Sequence, residues 1–373
     1  MTETQGLEDV VAAESALCYI DGDRGVLSYR GIDIHELAQS SSFEEVCFLL
    51  WEGRLPRAEE LSVLRDSIGR GRILPPRTLE LVDAMARRLS PMDALRTIVS
   101  ALPETDPDAA SRDPGANRRR AVRLTGQIAA TVAGLHRVRL GKPTVSADPG
   151  RTHADDFLRM LSGETERAAG VRAFDAALVL HADHELNAST FAARVTAATL
   201  ADMHAAVTSA IAALKGPLHG GANEAVMEML REIGGLDGVD EAIHARLRRK
   251  EKIMGFGHRV YRTEDPRATH LRAMSHEVAE ASGDTRWYDM SRRIEQILNE
   301  EKKLYANVDL YSASLYHMLG IPSEIFTPIF AVSRIAGWTA HILEQYAHNR
   351  LIRPRADYTG PPYPQAYVAL PDR

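Results

Sequence analysis

Apolar residues along the chain recur mostly three or four positions apart, and stretches that alternate at a period of two are rare. That spacing lays one apolar stripe along a helix and predicts a helix-dominated fold. The main exception lies near the start. There ALCYIDGDRGVLSY, Ala16 to Tyr29, sets two short apolar segments on either side of an Asp/Gly-rich turn and predicts a small β-hairpin.

The helix boundaries carry their own punctuation. Ser42 opens SFEEVCFLLWEG with Glu45 placed for a capping box and Gly53 as a stop, and Ser90 followed by Pro91 opens MDALRTIVSAL. A helix is predicted from Arg118 to Leu140 between two loops rich in Pro, Asp, Gly and Ser, over 103–117 and 141–153. The Ala-rich stretch from Asn187 to Pro217 has small residues all round, which predicts close helix contacts in a deep core or a subunit interface. No repeat of fixed period interrupts this pattern.

Length and composition narrow the classes. A chain of 373 residues exceeds the usual single-domain size, so two domains are expected. With 45 Lys plus Arg against 51 Asp plus Glu, the net charge of −6 offers no general attraction to nucleic acid or an anionic membrane. Without a basic leader or a bilayer-length apolar run, a cytoplasmic location is expected. Cys18 and Cys47 are too few for a disulfide framework and read as small buried apolar residues.

Against that background, local clusters of charge read as sites. KIMGFGHRVYRTEDPRATH, Lys252 to His270, puts His258 on a glycine-framed turn and follows it with Arg259, Arg262 and Arg267. Asp265 and Pro266 read as an N-cap and first helical residue, so Arg267 falls in a first turn, where free N–H groups and a guanidinium can hold a carboxylate. In KGPLHGGANEAV, His219 sits just before a predicted helix start, which favours a neutral imidazole able to donate to an oxyanion; a solvated histidine is the alternative. HADHELNAST offers His181 and His184 three apart, for which a metal site competes with a carboxylate-binding histidine and a hydrogen-bond network. Asp309 in YANVDLYSASLYHM is either a helix cap or a partly desolvated general base. Arg334, among apolar residues of TPIFAVSRIAGWTAHILEQ, needs an anion, from a ligand or from the protein, and Arg353 beside Pro354 is a further candidate.

Two histidines, an aspartate and several arginines, without a nucleophilic Ser or Cys motif, point to proton abstraction beside a carbonyl on a small polyanionic acid. The ordered set GPLHGGANE, GFGHRVY with DPRA, NVD and FAVSRIAGW resembles the citrate synthase family, and the resemblance runs from ESALCYIDGDRGVLSYRGIDIHELA to NRLIRPRADY.

That resemblance implies an all-α, two-domain fold with a small N-terminal hairpin. The large domain would comprise 1–219 and 317–373, with a mobile small domain over 220–316 that closes over it. It implies that acetyl-CoA condenses with oxaloacetate and that water then cleaves citryl-CoA to citrate and CoA. Asp309 would take the methyl proton, His219 would hydrogen-bond the enolate oxygen, and His258 would donate to the oxaloacetate carbonyl. His184, Arg267 and Arg334 would bind the oxaloacetate carboxylates, and Arg353 would reach the partner's site in a homodimer. Arg262 would meet a CoA phosphate, with Gly255 in the loop beside the adenine. The CoA thioester is a substrate in this scheme; no cofactor or metal is expected. Oxaloacetate is expected to bind first. A 2-methylcitrate synthase using propionyl-CoA keeps the same catalytic trio and is the alternative; a non-catalytic helical binding protein would be expected to have lost one of the three. The start of the chain near GLEDVVAAES suggests no extra N-terminal domain, and with it a homodimer without NADH inhibition.

Overall fold

The computed structural model describes residues 10–373, so the first residues of the GLEDVVAAES segment lie outside it. Strands β1 (Cys18–Asp21), β2 (Val26–Tyr29) and β3 (Ile32–Asp33) form one antiparallel sheet, with Cys18 opposite Tyr29 and Ser28 opposite Asp33. The predicted hairpin is therefore present with a third short strand added.

The other regular elements of the described chain are helices. The first part runs α1 (Ile34–Ser40), α2 (Phe43–Glu52), α3 (Ala58–Gly71), α4 (Pro76–Ala86), α5 (Pro91–Ala101), α6 (Pro114–Arg139), α7 (His153–Ser162) and α8 (Ala168–His181). It continues with α9 (Ala188–Ala198), α10 (Met203–Leu214), α11 (Ala222–Ile233), α12 (Val239–Arg248), α13 (Pro266–Ser282), α14 (Arg286–Lys302), α15 (Val308–Met318) and α16 (Phe326–Ala347).

The sequence signals act as they should at several ends. Ser42 and Glu45 form a reciprocal capping box and Gly53 closes α2 in the left-handed conformation. Asp265 caps α13 ahead of Pro266. The helix expected from Arg118 begins earlier, at Pro114, because Asp113 accepts the Ala116 N–H and Pro114 occupies the first helical position. The Ala-rich stretch is two helices, broken where Leu200 turns to φ 64°, and α9 packs directly on α10.

Two long helices organise the core. α6 and α16 are buried on nearly every side and pack against one another, and α16 also meets α2, α8, α9 and α10. On the other side α15 packs against α11, α13 and α14, while α13 reaches back to α1 and α8. The sheet supports the loop between α12 and α13: Arg262 N–H donates to the Gly22 carbonyl at 3.0 Å. A Cβ on Gly22 would lie 2.1 Å from the Val260 carbonyl oxygen, so only glycine permits this approach.

Cys47 is buried and Cys18 partly so; both are free thiols. No helix among the described residues is long and apolar enough to cross a membrane.

Candidate active site

The turn after α8, the loop before α11, the loop before α13, and helices α15 and α16 together supply the candidate side chains. Phe330 on α16 is a common wall: its ring centroid lies 6.1 Å from that of His219 and 5.4 Å from that of His181, and the Arg334 guanidinium sits 4.6 Å from the same centroid. The rings of His184 and His258 meet edge to face at 5.2 Å, and each also packs on Tyr261.

Backbone N–H groups set the tautomers of the two candidate catalytic histidines. Val260 and Tyr261 donate to Nδ1 of His258 at 3.0 and 3.2 Å, so the neutral ring carries its proton on Nε2. In His219 it is Nε2 that accepts, from the Ser189 N–H at 3.4 Å and with the Ser189 hydroxyl at 2.8 Å, which leaves the proton on Nδ1. Trp338 Nε1–H donates to that hydroxyl at 3.0 Å and holds it in place.

Both rings are half-buried and neutral at physiological pH. Burial pushes His219 down to about 4, helped by the positive charge of Arg334. Burial likewise brings His258 to about 4, with Arg267 the next cause. The neutral imidazole expected for His219 is present, with desolvation and a nearby guanidinium as its causes. His219 also lies three residues before the start of α11, with Gly221 as the cap.

Asp309 is not the cap of α15. Asn307 takes that position, accepting the Asp309 N–H at 3.0 Å, so the Asp309 carboxylate stays free in the first turn. A first-turn carboxylate is ordinarily favoured in its charged form. Burial outweighs this and raises Asp309 to about 6, while Arg267 and Arg334 oppose the rise. A carboxylate poised there can exchange protons near neutral pH.

The arginines divide into two kinds. Arg267, only 3% exposed, already holds a carboxylate: Asp265 accepts from its Nε at 2.9 Å and its Nη2 at 2.7 Å. Asp265 Oδ1 also takes the Arg267 N–H at 3.0 Å, so the first-turn carboxylate grip read from the sequence is filled by the protein itself. Among the described residues only Nη1 of Arg267 lacks a protein acceptor. Arg334, 1% exposed, has no carboxylate within ion-pair reach among the described residues; its Nε donates to the His181 carbonyl at 2.7 Å. Such a guanidinium is a buried cation awaiting an anion.

His184 is buried, its Nε2 lies 3.2 Å from the Tyr261 hydroxyl, and burial holds it well below the usual histidine range. His181 instead bonds its own helix, with Nδ1 2.7 Å from the Ala177 carbonyl. The two therefore do not form a ligand pair, and among the described residues no group of three His, Cys, Asp or Glu side chains is placed to hold a metal.

Three of the residues named from the sequence lie toward the edges. Arg262 is exposed and pairs with Asp23 at 3.3 Å. Gly255, at φ +84°, packs against Leu310 and its carbonyl accepts the Asn307 N–H at 3.0 Å, which joins this loop to the start of α15. Arg353 is exposed and lines a cleft with Glu14, Arg194 and Glu344; none of His219, His258 or Asp309 lines it.

Sequence reasoning missed Tyr261, Ser189, Trp338 and Asn307 as site residues. A signal was present only for Asn307, as an alternative cap two residues before Asp309, and for Trp338, whose indole N–H must find an acceptor once buried.

The described geometry has close counterparts. The family "Citrate synthase, C-terminal domain" matches residues 6–355. "Citrate synthase 2" of Bacillus subtilis is 51% identical over 374 residues, covering 100% of both chains. A "2-methylcitrate synthase" of Shewanella oneidensis is 40% identical over 361 residues, covering 95% of this chain and 94% of its own. The crystal structure of citrate synthase from Pyrobaculum aerophilum superposes with a TM-score of 0.92 at 39% identity, over 99% of this chain and 95% of that one. The ternary complex of citrate synthase from Thermoplasma acidophilum with carboxymethyl coenzyme A and oxaloacetate gives a TM-score of 0.90 at 31% identity, over 99% of this chain and 98% of that one. Matched along nearly its whole length in sequence and in fold, the chain belongs to the citrate synthase family.

Proposed function

We propose that the protein is a citrate synthase that condenses acetyl-CoA with oxaloacetate and releases citrate and CoA. The observation that carries this reading is Asp309, a carboxylate raised to about 6 and tied through Asn307 to the loop of His258, together with two histidines held neutral, each with its tautomer fixed by backbone N–H donors. The higher identity to a citrate synthase, 51% against 40% for a 2-methylcitrate synthase, favours the acetyl substrate.

In the proposed reaction the Asp309 carboxylate takes a proton from the acetyl methyl group. The C–H electrons form the enolate, whose oxygen receives a hydrogen bond from the Nδ1–H of His219. The enolate carbon then attacks the oxaloacetate ketone, the oxygen that gains the carbonyl electron pair receives the Nε2 proton of His258, and net return of the proton held by Asp309 restores the neutral ring and the carboxylate. Water cleaves the resulting citryl thioester, and CoA leaves as the thiol. Arg334, the Nη1 of Arg267, and His184 hold the oxaloacetate carboxylates; Arg262 meets a CoA phosphate and Gly255 lies beside the adenine. The catalytic steps need no cofactor or metal beyond the thioester substrate.

Residues 220–316 act as a small domain closing on 1–219 and 317–373, with oxaloacetate binding first and supplying the energy to shield the enolate from water. The packing of α15 within α11, α13 and α14 supports treating them as one body. Arg353 serves the site of a partner subunit in a homodimer, which accords with its exposed position away from the catalytic residues of its own chain.

The test compares CoA release from acetyl-CoA and propionyl-CoA, at matched subsaturating concentrations, with oxaloacetate present. One methylene is worth about 1–3 kcal/mol in a fitted pocket, so acetyl-CoA is expected to lead by about tenfold or more. A preference for propionyl-CoA would move the protein to 2-methylcitrate synthesis with the same chemistry.

A further inference from the structure

The turn that carries His184 is fastened to α16 by three successive rungs. Arg334 Nε donates to the His181 carbonyl at 2.7 Å, Gly337 N–H donates to the Ala182 carbonyl at 3.0 Å, and His341 Nε2 meets Asp183 Oδ2 at 3.3 Å. Positions 334, 337 and 341 are three and four apart and share one helix face. The middle rung requires glycine, since a Cβ on Gly337 would lie 2.4 Å from Asp183 Oδ1.

The third rung has its chemistry fixed from behind. Arg194 Nη1 lies 3.1 Å from His341 Nδ1, and a guanidinium can only donate, so Nδ1 holds its lone pair and Nε2 carries the hydrogen that points to Asp183. Arg194 is anchored in turn by Glu344 at 2.6 Å and by the Gln345 amide oxygen at 3.1 Å. His341 and Asp183 are both fully buried, and among the described residues Asp183 Oδ1 has no hydrogen-bond partner, so the bond from His341 is what orients this carboxylate. The negative charge of Asp183 also leads the groups that offset the desolvation of Arg334.

We propose that His341, held in one tautomer by Arg194, is a positioning residue that orients Asp183 and thereby sets His184 and Arg334 for the carboxylates of oxaloacetate. The proposal rests on the oxaloacetate-binding reading given above. It concerns neither proton transfer nor the CoA thioester, so its effect falls on one substrate only.

The test uses His341→Leu and His341→Gln in the full-length protein, with KM for each substrate, kcat and thermal melting. A glutamine amide can offer an oxygen to Arg194 and an N–H to Asp183; leucine offers neither. Loss of an outer partner that orients a metal-binding residue costs about 10–100-fold, and an effect of the same order is expected for a residue that orients an anion-binding one. His341→Leu is expected to raise KM for oxaloacetate about tenfold or more while KM for acetyl-CoA and kcat change less than about threefold, and His341→Gln is expected to restore oxaloacetate binding. Equal changes in both KM values, an unchanged oxaloacetate KM in the leucine variant, or a glutamine variant as impaired as the leucine one would overturn it. If His341→Leu fails to fold, the glutamine variant decides: a tenfold rise in its oxaloacetate KM overturns the proposal, and near-normal binding upholds it. Absence of oxaloacetate-dependent CoA release in the wild type would instead overturn the functional reading, and the proposal with it.

Discussion

The side-chain amide of Asn307 donates to the Gly257 carbonyl at 3.0 Å, which ties the start of the helix bearing Asp309 to the loop bearing His258. The same side chain accepts the Asp309 N–H at 3.0 Å, so one residue sets the helix start and the spacing between candidate base and candidate acid. Replacing Asn307 with alanine removes both. The expected result is a stability loss of about 1 kcal/mol, as for a lost N-cap, with a fall in kcat of about tenfold or more. Asn307→Asp keeps the cap but loses the amide donor, so it should retain stability better than activity. Thermal melts and CoA-release rates on both variants check this.

Asp309 predicts the acid limb of the pH profile. As the proposed base its carboxyl must be ionised, and burial raises it to about 6, so kcat/KM for acetyl-CoA should fall about tenfold per unit below that pH and level off above it. His219 and His258, at about 4, stay neutral throughout that range and add no second limb there. A profile flat down to pH about 5 would contradict the assignment.

The same raised value has a cost in stability. A carboxyl that is harder to ionise in the folded protein than in the unfolded chain favours folding fully below its unfolded value near 4, and that contribution is lost as pH rises to about 6. At pH 7 Asp309→Asn should therefore be more stable than the wild type, by on the order of 1–2 kcal/mol, with the difference shrinking as pH falls toward about 4. Melting curves at both pH values read this directly.

Arg334 and Arg267 should respond to removal differently. Among the described residues Arg334 has no carboxylate within ion-pair distance and only the more distant Asp183 charge to offset its burial, so Arg334→Leu should leave the free protein about as stable. It should also abolish the rise in melting temperature expected of the wild type on adding oxaloacetate. Arg267→Leu strands the buried Asp265 carboxylate and should cost about 3–5 kcal/mol before any ligand is added.

Much of this arrangement was legible in the sequence because it rests on local signals. Ser42 with Glu45, Asp265 with Pro266, and the glycines framing His258 act within a few residues, and spacing alone reveals them. What could not be read are pairings across long separations. The Ser189 contact that fixes His219 spans thirty residues, and the His184 contact with Tyr261 spans 77. Arg267 shows the opposite limit: its partner Asp265 is two residues away, but whether a guanidinium faces its neighbour or a ligand depends on side-chain orientation that the sequence does not encode locally.

The most direct test of the central claim is the rate of CoA release from acetyl-CoA with oxaloacetate, for the wild type and for Asp309→Asn, with melting curves to verify folding. A positioned base contributes about 10²–10⁴-fold, so the folded variant should be slower by at least about a hundredfold. A folded Asp309→Asn protein that releases CoA at the wild-type rate would contradict the account.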